Sequence, residues 1–165
     1  MVQISRRADG PGWTLTSEQW LPRTREELFA FFADAFQLED ITPPWLHFHV
    51  VAEAPIAIRQ GTLIDYRLKL HGIPLRWRSE ITLWEPPQRF VDEQRKGPYS
   101  SWRHEHVLIE KDGGTLCRDR VDYAVPGGWL VNRLFVEPDV RRIFEYRLKR
   151  LNEIFSEPPA SEAPL

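Results

Sequence analysis

Apolar and polar residues alternate with a period of two over much of the chain, which is typical of half-buried β-strands. The clearest example is TLIDYRLKLHG, in which Ile64 and every second residue to Leu70 fall on one face and charged residues fall on the other. Residues 46–125 are predicted to form six consecutive strands, and the short turns between them favour antiparallel pairing. A further strand is predicted at residues 13–22.

Helical spacing replaces this alternation in the segment TREELFAFFADAF. Thr24 is suited to be the N-cap, and Glu27 follows three residues later in a capping-box pattern. A second short helix or turn is predicted in QLEDITPPW, ending before Pro43 and Pro44, because a residue that precedes proline avoids helical angles.

The C-terminal region is predicted to contain one long amphipathic helix. Its apolar stripe has spacings of 4, 4, 3 and 4 and consists of Val140, Phe144, Leu148, Leu151 and Phe155. Pro138 is predicted to separate this helix from a short one at residues 129–135, because proline suits the first turn of a helix and not its interior. The basic residues on the opposite side of the long helix are interpreted as solvated surface, with weak contact to a membrane surface as the alternative.

The order of elements predicts an α+β protein in which a curved antiparallel sheet of about seven strands wraps around the long C-terminal helix. One strand comes first, two short helices follow, and six strands precede the final helix. We expect residues 1–12 to be loosely ordered, residues 13–155 to form a single domain, and the Pro-rich residues 156–165 to be disordered.

Composition narrows the functional classes only slightly. The chain has 165 residues and a net charge of −2, which predicts no nucleic-acid partner. No stretch resembles a signal peptide or a membrane span, so we expect a cytoplasmic protein without stable membrane insertion. Cys117 is the single cysteine and is interpreted as a core residue. Seven Trp and nine Phe supply more flat apolar surface than a core of this size needs, which favours a lined cavity.

One stretch, FVDEQRKGPYSSWRHEHVLIE, mixes two kinds of side chain on the same strand faces. Alternation places Phe90 with Asp92 on one strand face, and Trp102 with His104 and His106 on the next. A packed core does not favour Asp and His, and a solvated face does not require Phe and Trp. The wall of a ligand pocket requires both characters.

The stretches FAFFADAFQLEDITPPWLHF, GTLIDYRLKLHGIPLRWRSEITLWEPPQRF and GTLCRDRVDYAVPGG, together with the final helix, resemble the SRPBCC superfamily. This superfamily includes START and Bet v-type proteins, polyketide cyclases and coenzyme-Q-binding proteins. The resemblance covers roughly residues 13–155 and implies a helix-grip fold with a cavity between sheet and helix. Pro138 and the Pro-rich tail depart from the pattern of the relatives.

On the resemblance and the strand alternation together, one set of residues is predicted to face the pocket. A bulge would reverse the assignment on any strand that carries one. The predicted ligand-binding set is Tyr66, Trp77, Ser79, Phe90, Asp92, Gln94, Trp102, His104, His106, Asp119 and Tyr123, with Trp45 in PPWLHF at the pocket mouth.

His104, His106, Asp92 and Asp119 are the candidates for chemistry. Imidazole titrates near neutral pH and suits acid–base work or ligand hydrogen bonding. The alternative interpretation is a satisfied set of structural pairs, because a buried carboxylate must be paired. The pattern H-x-H offers two metal ligands, but no catalytic zinc motif such as H-E-x-x-H is present, so no metal is predicted.

Three functions remain open at this stage. The first is binding of a small hydrophobic or aromatic ligand, such as a lipid, a quinone or a polyketide-like molecule. The second is acid–base catalysis of the cyclase or dehydratase type by the pocket His and Asp residues. The third is a regulatory or protein-interaction domain with a filled core. No nucleotide fingerprint or nucleophile motif occurs, so no cofactor is predicted.

Overall fold

The computed structural model describes residues 1–156, and the predicted disordered tail lies outside the described residues apart from Ser156. The described residues contain eight strands and four α-helices. In chain order the elements are β1 Val2–Arg6, β2 Trp13–Leu21, α1 Arg25–Phe32, α2 Gln37–Asp40, a 3₁₀ turn Pro44–Leu46, β3 His49–Val50, β4 Leu63–Leu70, β5 Ile73–Glu85, β6 Arg89–Lys96, β7 Ser101–Lys111, β8 Gly114–Ala124, α3 Gly128–Val131, a π-helical turn Asn132–Val136 and α4 Glu137–Phe155.

The strands form one antiparallel sheet in the order β1-β2-β8-β7-β6-β5-β4-β3. Strands β3 to β8 are joined consecutively, and β8 then pairs with β2. The side chains of Val140, Phe144, Leu151 and Phe155 on α4 are buried. The α+β helix-grip architecture is therefore confirmed, and the period-two pattern that predicted it reflects a sheet with one covered face.

Residues 1–12 were expected to be loosely ordered, and for Val2–Arg6 this expectation is wrong. They form β1, which pairs with β2 from Val2 opposite Ser17 to Arg6 opposite Trp13. The guanidinium of Arg141 on α4 donates a hydrogen bond to the Val2 carbonyl at 3.0 Å. A strand of five residues has too few alternations to stand out in the sequence, but edge pairing and the helix contact hold it in place.

Gly12 lies in the turn that connects β1 to β2. Its φ of +105° lies in the left-handed region, and a Cβ atom at this position would lie 2.2 Å from the Tyr123 carbonyl oxygen. Only glycine satisfies both the backbone angle and this close approach. The Gly-Pro-Gly stretch is therefore a specific turn in the fold.

The predicted boundary at Pro138 is correct in position, but no break separates the two helical segments. The π-helical turn Asn132–Val136 connects α3 directly to α4, and Pro138 occupies the first turn of α4. A widened turn departs from the regular i→i−4 hydrogen-bond ladder, so it tolerates a residue without an N–H at its end.

Two hydrophobic clusters fill the space between the sheet and the helices. The larger includes Leu28 and Phe32 of α1, and Leu151 of α4. The smaller is centred on Leu15, Tyr123 and neighbouring residues of β2, β8 and α4. Residues of both clusters line an internal cavity, which locates the candidate site.

Candidate ligand cavity and its buried polar centre

A cavity of about 170 Å³ lies between the concave face of the sheet and α4. Its wall is mainly apolar and includes the aromatic residues Phe32, Phe48, Trp77, Trp84, Phe90 and Trp102. An apolar cavity of about 150 Å³ accommodates benzene, so this space is large enough for at least one aromatic ring. A filled core does not describe this part of the protein.

The pairing of β6, β7 and β8 brings the predicted titratable residues into one group. Asp92 on β6 lies opposite His104 on β7. His106, two residues further along β7, lies between Phe90 on β6 and Asp119 on β8. Because alternate residues of a strand share a face, these side chains all point toward the concave side.

Each histidine of this group is hydrogen-bonded to a carboxylate. His104 Nε2 lies 2.9 Å from Asp119 Oδ1, and His106 Nε2 lies 3.2 Å from Asp92 Oδ2. His106 Nδ1 also lies 3.1 Å from Asp119 Oδ1, so Asp119 links the two imidazoles. The imidazole ring centroids are 3.7 Å apart. We refer to Asp92, His104, His106 and Asp119 as the polar centre.

Two serines complete the hydrogen bonding of the carboxylates. Ser17 Oγ donates to Asp119 Oδ2 at 3.1 Å. On the other side, Ser79 Oγ donates to Asp92 Oδ1 at 3.5 Å and accepts from Trp77 Nε1 at 3.0 Å. The two serines thus hold the carboxylates in place, and Asp92 reaches the cavity wall together with the two imidazoles.

The environment shifts the pKa values of the two histidines in opposite directions. Burial and the neighbouring His106 lower the pKa of His104, and the pairing with Asp119 only partly offsets this. Burial also disfavours the charged form of His106, but its hydrogen bonds to Asp119 and Asp92 outweigh that effect and raise its pKa. Relative to an ordinary imidazole, the surroundings therefore favour the neutral form of His104 and the protonated form of His106.

The carboxylates respond to the same contacts. Burial alone would raise the pKa of Asp119, but hydrogen bonds from His104 and His106 hold it well below its usual value. Burial would likewise raise the pKa of Asp92, but the hydrogen bond from His106 and the charges of both histidines lower it. Both carboxylates are therefore ionised, and they form the negative half of the polar centre.

Eight of the predicted pocket residues line the cavity. They are Tyr66, Trp77, Ser79, Phe90, Asp92, Trp102, His104 and His106. Bulges, which could have reversed the predicted faces, do occur in these strands. The pairing of β5 with β6 shifts register between Arg78 and Ser79 and between Ile81 and Leu83. They do not move these eight side chains away from the cavity.

Four predicted residues occupy other positions. Asp119 lies behind the histidines, and Tyr123 is fully buried in the smaller hydrophobic cluster. The Gln94 amide bonds both the N–H and the carbonyl of Tyr99, which closes the β6–β7 turn. Trp45 lies outside the cavity lining, where the Arg142 guanidinium covers its ring at 4.1 Å. Alternation gives the face of a strand residue but not its depth in the molecule.

Sequence reasoning missed Arg147, a charged residue of the cavity wall. A signal was present, because Arg147 lies three residues after Phe144 and four before Leu151, both of which are buried. It therefore occupies the inward stripe of α4 at helical spacing. Arg147 was missed because only apolar residues were assigned to the inward stripe of α4.

Cys117 is a buried free cysteine. Burial and the nearby Asp119 charge raise the pKa of its thiol to about 12. A thiol that stays protonated is a poor nucleophile. The residue therefore acts as a small core side chain.

Ligand atoms of Asp92, His104 and His106 lie within 4.8 Å of one another, a separation that a shared metal ion could bridge. In the observed arrangement His104 Nε2 and both ring nitrogens of His106 instead lie against carboxylate oxygens of Asp92 and Asp119. We therefore assign hydrogen-bonding roles to these residues. Among the described helices, none is both long and apolar enough to cross a membrane.

The sequence model of one family, described as polyketide cyclase / dehydrase and lipid transport, matches residues 21–151. The chain belongs to this family. It is thus a member of the SRPBCC superfamily, as the sequence resemblance predicted. A search of curated proteins gave no significant match.

Solved structures support the same fold. The Zhui aromatase/cyclase from a Streptomyces species has a TM-score of 0.67 at 15% identity, covering 92% of this chain and 93% of that one. A protein from Chromobacterium violaceum has a TM-score of 0.71 at 14% identity, with 90% and 100% of the two chains covered. Ara h 8.0201 has a TM-score of 0.65 at 15% identity, covering 92% and 97%. At these identities the likeness concerns the fold.

Proposed function

We propose that the protein binds a small hydrophobic molecule containing one or two rings in the cavity between the sheet and α4. The observation that carries this proposal is the cavity wall, which is mainly apolar, includes many aromatic side chains and contains a few polar groups such as Asp92, His104 and His106. Ligand sites in proteins have this composition, because apolar surface supplies affinity and a few polar groups fix orientation. The family description, which includes lipid transport, supports the same class of function.

A direct test uses the bicyclic hydrocarbon tetralin and the related ketone 1-tetralone in calorimetric titrations. Ile143→Trp should abolish binding, because Ile143 lines the cavity and a larger side chain there would occupy the ligand space. Ile73→Trp is the matched control, since Ile73 is 64% exposed and lies outside the cavity lining. Native mass spectra before and after solvent extraction would reveal a molecule that co-purifies with the protein.

Failure of both compounds to bind the folded wild-type protein, together with the absence of a co-purifying molecule, would contradict this proposal. Equal binding by the Ile143→Trp variant would also contradict it, because the ligand would then occupy another surface. A filled regulatory domain would be the better interpretation in either case.

A second candidate function is acid–base catalysis, favoured by the opposite pKa shifts of the two cavity histidines. Two titratable groups whose environments separate their pKa values can serve as base and acid. In this scheme Nδ1 of the neutral His104 imidazole, whose Nε2 is bonded to Asp119, removes a proton from the carbon next to a ligand carbonyl, and the C–H electron pair forms the enolate. The protonated form of His106, which its contacts with Asp92 and Asp119 favour, stabilises the negative oxygen through its charge. The proton then returns from His104 to carbon or is exchanged with solvent.

The catalytic candidate predicts exchange of the C2 protons of 1-tetralone in heavy water. Proton NMR should show exchange faster with the protein than without it, and His104→Gln should remove this acceleration while leaving ligand affinity within a few fold. Exposed His49 provides a control variant, His49→Gln. Exchange at the background rate in the presence of saturated wild-type protein would exclude this chemistry for the ketone and leave binding as the function.

A further inference from the structure

The two histidines of the polar centre share Asp119 through one nitrogen each. His104 Nε2 lies 2.9 Å from Asp119 Oδ1, and His106 Nδ1 lies 3.1 Å from the same oxygen. An ionised carboxylate only accepts hydrogen bonds, so each of these two nitrogens carries a hydrogen. In neutral imidazoles the remaining nitrogens, His104 Nδ1 and His106 Nε2, then have free lone pairs, which is the form in which histidine binds metal ions.

These two remaining nitrogens lie on either side of one carboxylate oxygen. Asp92 Oδ2 lies 3.2 Å from His106 Nε2 and 3.8 Å from His104 Nδ1. In a tetrahedral site with metal–ligand bonds of about 2.0–2.1 Å, neighbouring ligand atoms are about 3.3–3.4 Å apart. The two observed separations bracket this spacing, so the three side chains already have nearly the arrangement that a single ion requires.

The contact between His106 Nε2 and Asp92 Oδ2 requires a positive centre between two acceptor atoms. A proton on His106 satisfies this requirement and gives the hydrogen bond described above. A divalent cation would satisfy it equally, and it would also engage His104 Nδ1, which is too far from Asp92 for a good hydrogen bond. The His106–Asp92 hydrogen bond is the contact that such an ion would replace, while both contacts with Asp119 would persist.

The polar atoms that would not contact the ion are held by neighbouring groups. Asp119 fixes the far nitrogen of each imidazole, and Ser17 Oγ donates to the second oxygen of Asp119 at 3.1 Å. Ser79 Oγ donates to Asp92 Oδ1, the oxygen that the histidines do not use. Metal-binding histidines commonly donate their other N–H to a carboxylate, which fixes the orientation of the ring. The surroundings therefore match those of a metal site.

We propose that Asp92 Oδ2, His104 Nδ1 and His106 Nε2 bind a divalent transition-metal ion such as Zn²⁺, with Asp119 as the positioning residue for both imidazoles. Two histidines and one carboxylate are a ligand set found for zinc and for non-haem iron. The three ligand residues line the cavity, so water from the cavity would supply the fourth ligand. Three protein ligands and one open position are typical of catalytic zinc sites, whereas structural sites are closed.

The charges near the site are compatible with a divalent ion that carries a hydroxide. Asp92 and Asp119 are ionised, and Arg147 of the cavity wall interacts electrostatically with both. With neutral histidines, these groups and a divalent ion would have one net positive charge, which a hydroxide on the ion would balance. Bound Zn²⁺ lowers the pKa of its water to about 7, so hydroxide forms readily there.

This inference goes beyond the proposed binding function and does not depend on it. An ion at this position would occupy His104 Nδ1, the atom that the acid–base scheme uses as the base. The two roles of His104 therefore exclude each other at any one time. Metal binding is measured without an organic ligand, so failure of the metal site and failure of the ligand proposal are distinguishable.

The test uses the full chain, treated with a chelator and then titrated with Zn²⁺ by calorimetry and with Co²⁺ by visible absorption. We expect one ion per chain and cobalt absorption bands that free Co²⁺ does not show. Asp92→Asn and His106→Gln should each abolish this binding, because each removes one of three ligands. His49→Gln is the matched control, since His49 is an exposed histidine that lies 3.0 Å from Glu39 and should not contribute.

Asp119→Asn tests the positioning role separately from the ligands. It should weaken Zn²⁺ binding by about tenfold to a hundredfold, as is typical when a partner of metal-binding histidines is removed. One ion should still bind, and the cobalt bands should shift, because the donor strength of both imidazoles changes. A purely structural role for Asp119 would leave the cobalt bands of the folded variant unchanged.

Circular dichroism establishes that each variant is folded, and His104→Gln replaces any ligand variant that is not. The wild-type protein provides a test without substitutions, because an ion that binds the folded chain should raise its Tm in the presence of Zn²⁺. Absence of Zn²⁺ and Co²⁺ binding by the folded wild-type protein would overturn the inference. Undiminished binding by Asp92→Asn and His106→Gln, or loss of binding by His49→Gln, would also overturn it, because the ion would then lie at other residues.

Discussion

The two faces of the sheet carry similar charged residues in very different surroundings. On the convex face, Asp65 on β4 pairs with Arg78 on β5 at 2.8 Å, and both side chains are nearly half exposed. On the concave face, His106 and Asp119 pair at 3.1 Å with side chains that are 7% and 13% exposed. Both pairs join oppositely charged groups on neighbouring strands. They differ mainly in how far water reaches them.

This difference determines what each pair contributes to the protein. Exposed ion pairs are screened by water and contribute little to stability. Buried pairs interact strongly, and removing one partner leaves an uncompensated charge in a medium of low polarity. The convex pairs therefore maintain a solvated surface, whereas the concave group holds protonation states that an isolated histidine would not have. Experiments that exchange or remove equivalent charges on the two faces test this contrast.

The largest difference is expected for the removal of one carboxylate from each face. Asp119→Ala should reduce the free energy of unfolding by about 3–5 kcal/mol, because His104, His106 and Ser17 lose their common partner. Asp65→Ala on the convex face should cause a much smaller loss. Urea denaturation followed by tryptophan fluorescence measures both variants. Similar losses for the two variants would remove the proposed distinction between the faces.

A smaller effect is expected in the pH dependence of stability. The pKa of His106 is raised above the unfolded value near 6.5, so its stabilisation is present below that pH and is lost as the pH rises through the folded pKa. The pKa of His104 is lowered, so the unfolded chain binds an additional proton below pH 6.5 and stability falls as the pH decreases toward the folded pKa. The two residues together predict a stability maximum near pH 6.5.

Two variants separate these contributions in denaturation series at several pH values. His106→Gln should remove the loss of stability above pH 6.5, and His104→Gln should remove the loss below it. His49→Gln is the control, because His49 is 69% exposed and lies far from the polar centre in the sheet order. A wild-type profile that is flat between pH 5 and 8 would contradict the opposite shifts.

The smallest effect is expected for an ion pair on the convex face. Arg95 on β6 and Glu80 on β5 lie 2.6 Å apart, with side chains that are 43% and 32% exposed. A double-mutant cycle with Arg95→Ala and Glu80→Ala should give a coupling below about 1 kcal/mol, and added salt should reduce it. The same cycle on Asp92 and His106 should give a larger coupling that salt changes little. Equal salt sensitivity in the two cycles would contradict the burial argument.

Some features of the site could be read from the chain alone. Strict alternation in FVDEQRK and SWRHEHVL placed Asp92 on one face of the first strand and His104 with His106 on one face of the next, and in the structure these three residues lie together. The apolar spacing of α4 likewise predicted its covered face. These features depend on local geometry, because a strand repeats every two residues and a helix every 3.6.

Other features depended on contacts between distant segments. The edge strand β1 is held by pairing with β2 and by Arg141, neither of which its five residues reveal. Gln94 shares the predicted inward face, but its amide closes the turn to Tyr99. Arg147 has a clear helical position, yet only the packing of α4 against the sheet shows that its Nε atom is buried without an acceptor among residues 1–156. Depth and pairing are properties of the packed molecule.

The sequence by itself determined the class of fold and the faces on which chemically active residues lie, because the periodicity of each element is encoded locally. Only the tertiary structure decided that Asp119 bridges both histidines, that their pKa values move apart, and that Arg147 lies in the cavity wall. These properties arise from strand register, burial and charge within a few ångströms. Residues far apart in the chain acquire such relationships only when the sheet closes around the helix.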